Sequence, residues 1–158
     1  MERSLEEAML AAVQQARTSM RAGIGGPFGA AVIKDGKVIS VAANSVLRDH
    51  DPSAHAEVNA IRAAGRLLST HDLSGCTLYA TGYPCPMCLS AIIWANIDTV
   101  WFGCEAHEAE EIGFRDDYIY RFIESKRADG SVLRLRQMGH DACKRLYEEY
   151  VDLGKERY

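Results

Sequence analysis

The chain of 158 residues has no apolar run approaching the ~20 residues of a membrane span. Its opening segment, MERSLEEAML, sets acids among its apolar residues and lacks the basic start and apolar stretch of a signal peptide. The expectation is a cytoplasmic protein. Basic charge is also scarce: 18 Lys and Arg stand against 22 Asp and Glu, for a net charge of -4. That weighs against a nucleic-acid partner, because binding phosphates normally needs a basic surface. Arg121, Lys126, Arg127, Arg134 and Arg136 are interleaved with acids and read as a solvated face. The five cysteines are an odd number, which argues against a disulfide framework. Of these, Cys76, Cys104 and Cys143 have apolar neighbours and read as buried core thiols. No repeat, low-complexity stretch or Pro/Gly/Ser linker interrupts the chain, so a single domain over 1–158 is expected.

What is present is regular. Ser4 and Glu7 form a capping-box pattern ahead of an apolar stripe of Leu5, Ala8, Met9, Ala12, Val13 and Ala16, which predicts a helix from about Ser4 to Arg21. Gly23 to Pro27 ends it. Two apolar runs flank Asp35-Gly36, a strong hairpin signal, and place strands near 29–34 and 37–43. RDHDPSAH reads as a loop. AEVNAIRAAGRLL reads as a helix with Val58, Ile61, Ala64, Leu67 and Leu68 on one face. CTLYATG and TVWFGC read as strands on either side of a short apolar helix, PMCLSAIIWANI. Further on, 106–111, 117–124 and 141–154 read as helices, and the alternating SVLRLRQ as a strand. Helices alternating with strands define a layered α/β domain.

Two short motifs carry chemistry. His55-Ala56-Glu57 and Pro84-Cys85-Pro86-Met87-Cys88 each follow a loop and each open a helix. Alone, HxE means little, and a lone CxxC fits half a zinc knuckle or a redox pair. A structural zinc needs further close-spaced ligands, and no second CxxC exists. Together the motifs are specific. Cys85 and Cys88, three apart, share one face of a first turn, where the helix N-terminus favours thiolates. With His55 they offer three ligands and leave a fourth tetrahedral position open, the pattern of a catalytic zinc. Glu57 is expected beside the metal, aimed away from the ligand direction, as the acid/base that moves protons. Its alternative is a residue that only suits the helix dipole.

The H-x-E…P-C-x-x-C pattern resembles the cytidine deaminase-like superfamily of zinc deaminases. The resemblance runs from PFGAAVIKDGKVI through HAEVNAIR and PCPMCLSAIIWA to the C-terminal helix. It implies a three-layer α-β-α fold around a central mixed five-stranded sheet, one Zn2+ per chain, and hydrolytic release of ammonia from a ring amine. Within the superfamily, PFGAAV, DPSAHAEVNAIR, AIIWA and Gly113-Phe114-Arg115-Asp116 are most similar to bacterial guanine deaminases. Carried over by position, Asn44 binds the base, the Ala56 backbone contacts its ring, Phe28 and Trp94 line the pocket, and Asp116 accepts from an amino group. Tyr158 closes the pocket from its own or a neighbouring subunit of a homodimer. The local alternatives are a turn residue for Asn44, core packing for Trp94 and Phe28, a helix cap for Asp116, and a plain chain end for Tyr158. One position departs from the pattern: Tyr83 stands where purine-acting members commonly carry glutamate and several pyrimidine-acting members a small residue. Guanine to xanthine is thus the first expectation, with cytosine, an azacytosine or triazine ring, or a nucleoside open behind it. Editing of tRNA adenosine, or a zinc protein without catalysis, are the remaining classes.

Overall fold

A computed structural model describes residues 2–158, with side chains from Glu6 onward. The chain divides into two compact units, Met1–Asp116 and Asp117–Tyr158. In the first unit a four-stranded sheet has the order β2-β1-β3-β4. Its strands are β1 (Gly29–Lys34), β2 (Lys37–Ala43), β3 (Cys76–Gly82) and β4 (Thr99–Cys104). The hairpin β1/β2 turns at Asp35 and Gly36 with φ of 48° and 73°, the left-handed pair that a two-residue turn requires. β1 runs antiparallel to β3, while β3 and β4 are parallel, joined by a helical crossover. The sheet is therefore mixed, as expected.

Strand alternation sends side chains to two cores. Ala31, Ile33 and Tyr79 face α1 (Glu2–Arg21), meeting Ala8 and Ala12. Ala30, Val32, Leu78 and Ala80 lie in the other core with Ala56, Ala60 and Ala64 of α3 (Ala56–Leu68) and Ile92 of α4 (Pro86–Trp94). Each long helix thus presents alanines four apart, Ala8, Ala12 and Ala16 on α1 and Ala56, Ala60 and Ala64 on α3, and small residues let a helix approach the strands closely. The expected face of α3 is met in part: Ala64 is fully buried and Ile61 and Leu68 pack against this core, Val58 is partly buried, and Leu67 is exposed, while the closest approach to the sheet is taken by Ala56, Ala60 and Ala64. α1 begins at Glu2, ahead of the expected start; the Ser4 side chain, and so the capping box, lies outside the described residues.

Several other expectations need correction. The loop at 48–55 contains a one-turn helix, α2 (Val46–Asp49), at its start. Among the described residues no fifth strand forms. SVLRLRQ stays irregular, because alternation alone makes no strand without a ladder partner, and Asp129 instead turns the chain by accepting from the Ser131 N–H and hydroxyl. Of the three cysteines expected in the core, only Cys76 is buried. Cys104 is exposed on outer strand β4 and Cys143 is exposed near the C-terminus. α5 (Ala106–Glu111) closes the first unit's helices and carries a capping box between Glu105 and Glu108. The second unit holds α6 (Asp117–Glu124) and α7 (His140–Asp152). No helix among the described residues is long and apolar enough to cross a membrane.

Candidate metal centre and base pocket

Two helix starts converge. His55 is the N-cap of α3 and Cys85 the N-cap of α4, both with extended backbone, and neither side chain is used to cap its own helix. Pro86 at the first position of α4 fits the helical φ and has no N–H to lose. Cys88 follows two residues later, fully buried. The His55 Nδ1 lies 3.6 Å from the Cys85 Sγ and 3.5 Å from the Cys88 Sγ. Zinc bonds of about 2.3 Å to sulfur and about 2.0 Å to nitrogen, at a tetrahedral angle, require an S···N edge of about 3.6 Å. The three ligand atoms lie within 4.8 Å of one another, the spacing for a single ion. The donor set and its dimensions fit zinc.

The electrostatics are those of a cation site. Left to themselves, the two thiols share a proton. Cys85 is pulled down to about 4, first by the hydrogen bond from Cys88 and then by His55. Cys88 is pushed up, first by its hydrogen bond to the Cys85 thiolate and then by burial. His55 is raised, first by its hydrogen bond to Cys85. Glu57, buried at the first turn of α3, is raised chiefly by burial, with the Cys85 thiolate adding to it. Interaction with Cys88 lowers Glu57 and raises Cys88, so the carboxyl lies near the cysteines without being one of the three clustered ligand groups.

Asn44 is placed with equal definition. It is buried at the end of β2, and its Oδ1 accepts from the backbone N–H of Gly26 at 3.2 Å and of Val46 at 3.1 Å. Its carbonyl accepts from the Ser19 hydroxyl at 3.0 Å, and its N–H donates to the Phe28 carbonyl. With Oδ1 committed twice, the amide orientation is fixed and Nδ2 is left as a donor. Ala56, fully buried, is the first residue of α3, beside both His55 and Glu57. Phe28 packs partly into the α3-side core and meets Phe114 edge-on, ring centroids 4.9 Å apart.

Trp94 is the last residue of α4, at the opposite end from the cysteines, and is 73% exposed. That exposure excludes the core alternative for Trp94. Asp116 is partly buried, immediately before α6. Tyr158 lies in the second unit, 85% exposed, where it lines a cavity of about 530 Å³ with Leu146, Tyr150 and Leu153. Tyr83 turns its ring against Phe102 of β4 at 5.0 Å and donates its N–H to the Cys104 carbonyl. Sequence reasoning missed Asn59, whose side chain bridges the loops holding Asn44 and His55. An asparagine inside a helix, where it is a poor helix former, was the available signal.

An α/β layered fold whose two helix starts present one imidazole, two cysteine sulfurs and a buried glutamate holds the site of a metal-dependent hydrolase. Residues 2–104 match the model of the cytidine and deoxycytidylate deaminase zinc-binding region, and the chain belongs to that family. The guanine deaminase of Bacillus subtilis is 45% identical over 121 residues, 77% of this chain and 78% of that one. The crystal structure of guanine deaminase from the same organism superposes with a TM-score of 0.87 and 36% identity, covering 97% of each chain. The tRNA-specific adenosine deaminase of Aquifex aeolicus is 48% identical over 77 residues, 49% of this chain and 51% of its own.

Proposed function

We propose that the protein is a zinc-dependent deaminase of a free nucleobase, converting guanine and water to xanthine and ammonia, with one zinc per chain held by His55, Cys85 and Cys88. One observation carries the choice of base. The likeness to Bacillus subtilis guanine deaminase covers 97% of the chain, well past Cys104 and into the second unit, whereas the tRNA-specific relative aligns with half of it. The net charge of -4 also disfavours an RNA substrate. On this reading both units belong to one deaminase domain.

Zinc, when bound, supplies a Lewis acid that lowers the pKa of water toward ~7. The chain's own residues do the rest. Glu57, whose burial raises its pKa, takes the proton of the attacking water, delivers it to the ring nitrogen, and hands the next one to the departing amine. The Asn44 Nδ2 donates to the base, the Ala56 backbone lies along its ring, and Phe28, braced by Phe114, covers a face. Asp116 and Tyr158 are assigned to the base's amino group and to pocket closure. Ile93, Trp94 and Trp101 are each exposed apolar side chains, and burying them against a second copy of the chain is the part assigned to them in a homodimer.

The test is a panel assay. Zinc-loaded protein is incubated with guanine, cytosine, 5-azacytosine, adenine, guanosine, cytidine and tRNA, and ammonia is measured. Release from guanine well above the rest supports the proposal. Release from cytosine or a triazine ring instead moves the substrate. Inosine formation in tRNA with no release from any free base overturns it.

A further inference from the structure

Asn44 and His55 stand on either side of the loop from the end of β2 to the start of α3. Asn59, one turn into α3, reaches back across that loop. Its Nδ2 lies 3.0 Å from the Ala43 carbonyl, 2.9 Å from the Ser45 Oγ and 3.3 Å from the Ala54 carbonyl. These acceptors are not arbitrary. Ala43 and Ser45 flank Asn44, and Ala54 precedes His55. The Ser45 hydroxyl is committed as a donor to the Asp49 Oδ2 at 2.6 Å, which leaves its lone pairs for Asn59. Two further bonds tie the two sides together, the Ser45 N–H to the Ala54 carbonyl at 3.0 Å and, further back in β2, the Ser40 hydroxyl to the Ala60 carbonyl of α3 at 2.8 Å; neither is made by a residue in direct reach of both neighbours of Asn44. Asn59 itself is fixed to α3 through its N–H to the His55 carbonyl.

We infer that Asn59 is a positioning residue that sets the Asn44 amide at its working distance from the metal ligand His55, and so governs how well the base is held. The inference rests on the reading that Asn44 binds the base. Asn59 touches neither ligand sulfur nor base; it acts through the residues on either side of Asn44. Removing its fork leaves His55, Cys85 and Cys88 in place, so metal is retained. It removes the tie from α3 to the residues flanking Asn44 and leaves Asn44 held only from the side of Ser19, Gly26, Phe28 and Val46, and a small shift relative to α3 weakens a hydrogen bond to a bound base. Asn44 contacts the base before and during reaction alike, so the loss falls on KM more than on kcat.

The experiment is a double-mutant cycle. Asn59→Ala and Asn59→Ser are made in the parent protein and in an Asn44→Ala background. Zinc per chain, thermal midpoint, kcat and KM for guanine are measured for each. The expected result is full zinc content, a KM raised about tenfold in the parent background, and little further rise in the Asn44→Ala background. A purely structural Asn59 lowers the thermal midpoint and leaves KM alone, or shifts KM equally in both backgrounds; either result overturns the inference. If the Asn59 variants do not fold, Ser45→Ala removes one of the three acceptors and reads the same coupling at lower amplitude. A parent protein that does not turn over guanine, or an Asn44→Ala variant with unchanged KM, retires the base-binding reading and this inference with it. A large Asn44→Ala effect without coupling to Asn59 overturns this inference alone.

Discussion

Gly25→Ala is a stringent perturbation of the base pocket because the space for one methyl group can be read directly. A Cβ on Gly25 would lie 2.3 Å from both the backbone oxygen and the Oδ1 of Asn44, and 2.6 Å from the Asn44 carbonyl carbon. Ordinary contact needs a retreat of about 1 Å. Asn44 cannot retreat without stretching the bonds from Ser19 at 3.0 Å, Gly26 at 3.2 Å and Val46 at 3.1 Å, all of which then leave bonding range. At about 0.5–1.5 kcal/mol net for each bond, the cost is about 3 kcal/mol. In a chain of this size that lowers the thermal midpoint by about 6–12 °C. Because the displaced group is the one assigned to the base, KM for guanine rises in the same variant. Circular-dichroism melting and steady-state kinetics read the two effects. Gly36→Ala is the control. Its φ of 73° strains an alanine, but nothing lies within 4 Å of the new Cβ, so it costs about 1 kcal/mol and leaves KM unchanged. A Gly25→Ala protein that melts within about 2 °C of the parent with an unaltered KM would refute the reasoning.

Three further predictions concern the metal and the core. Cys88→Ala removes a buried ligand and should abolish stoichiometric zinc in metal analysis, while Cys143→Ala, on the exposed face of α7, should not. Zinc uptake at pH 7 should release between one and two protons: Cys85, near 4, is already a thiolate, Cys88 must give up its proton, and His55, raised above its ordinary value, gives up a fraction. Affinity therefore falls as the pH falls, by about 1.4 kcal/mol per released proton per pH unit, and calorimetry in buffers of different ionisation enthalpy counts the protons. Leu78→Ala empties a fully buried position between the sheet and α3 and should cost about 2–5 kcal/mol in denaturant unfolding.

The parts legible in the sequence are those set by local chemistry. The Asp35-Gly36 turn fixes its own hairpin, because few residue pairs accept positive φ twice. The ligand triad was legible because metal coordination restricts residue type and spacing together. What the sequence concealed depends on how elements meet. On α3 the expected Ile61, Ala64 and Leu68 do meet the core, but Leu67 does not, and Ala56 and Ala60 were passed over because a count of hydrophobicity ranks alanine low while close approach to the sheet favours it. SVLRLRQ has a strand's alternation but no neighbour to pair with. Trp94 lies in an apolar run, yet it ends α4 exposed instead of in the core. The Asn59 fork joins residues 5 to 16 positions apart, and only the fold shows them touching.

On the proposed function, the buried Glu57 moves protons beside a zinc that it does not bind. Glu57→Gln keeps the size and the polarity of the side chain and removes only its ability to take up a proton. The measurement is zinc per chain together with the rate of ammonia release from guanine in that variant. The account predicts one zinc per chain and turnover lower by at least about 10³-fold. Turnover near that of the parent, with zinc in place, would contradict it.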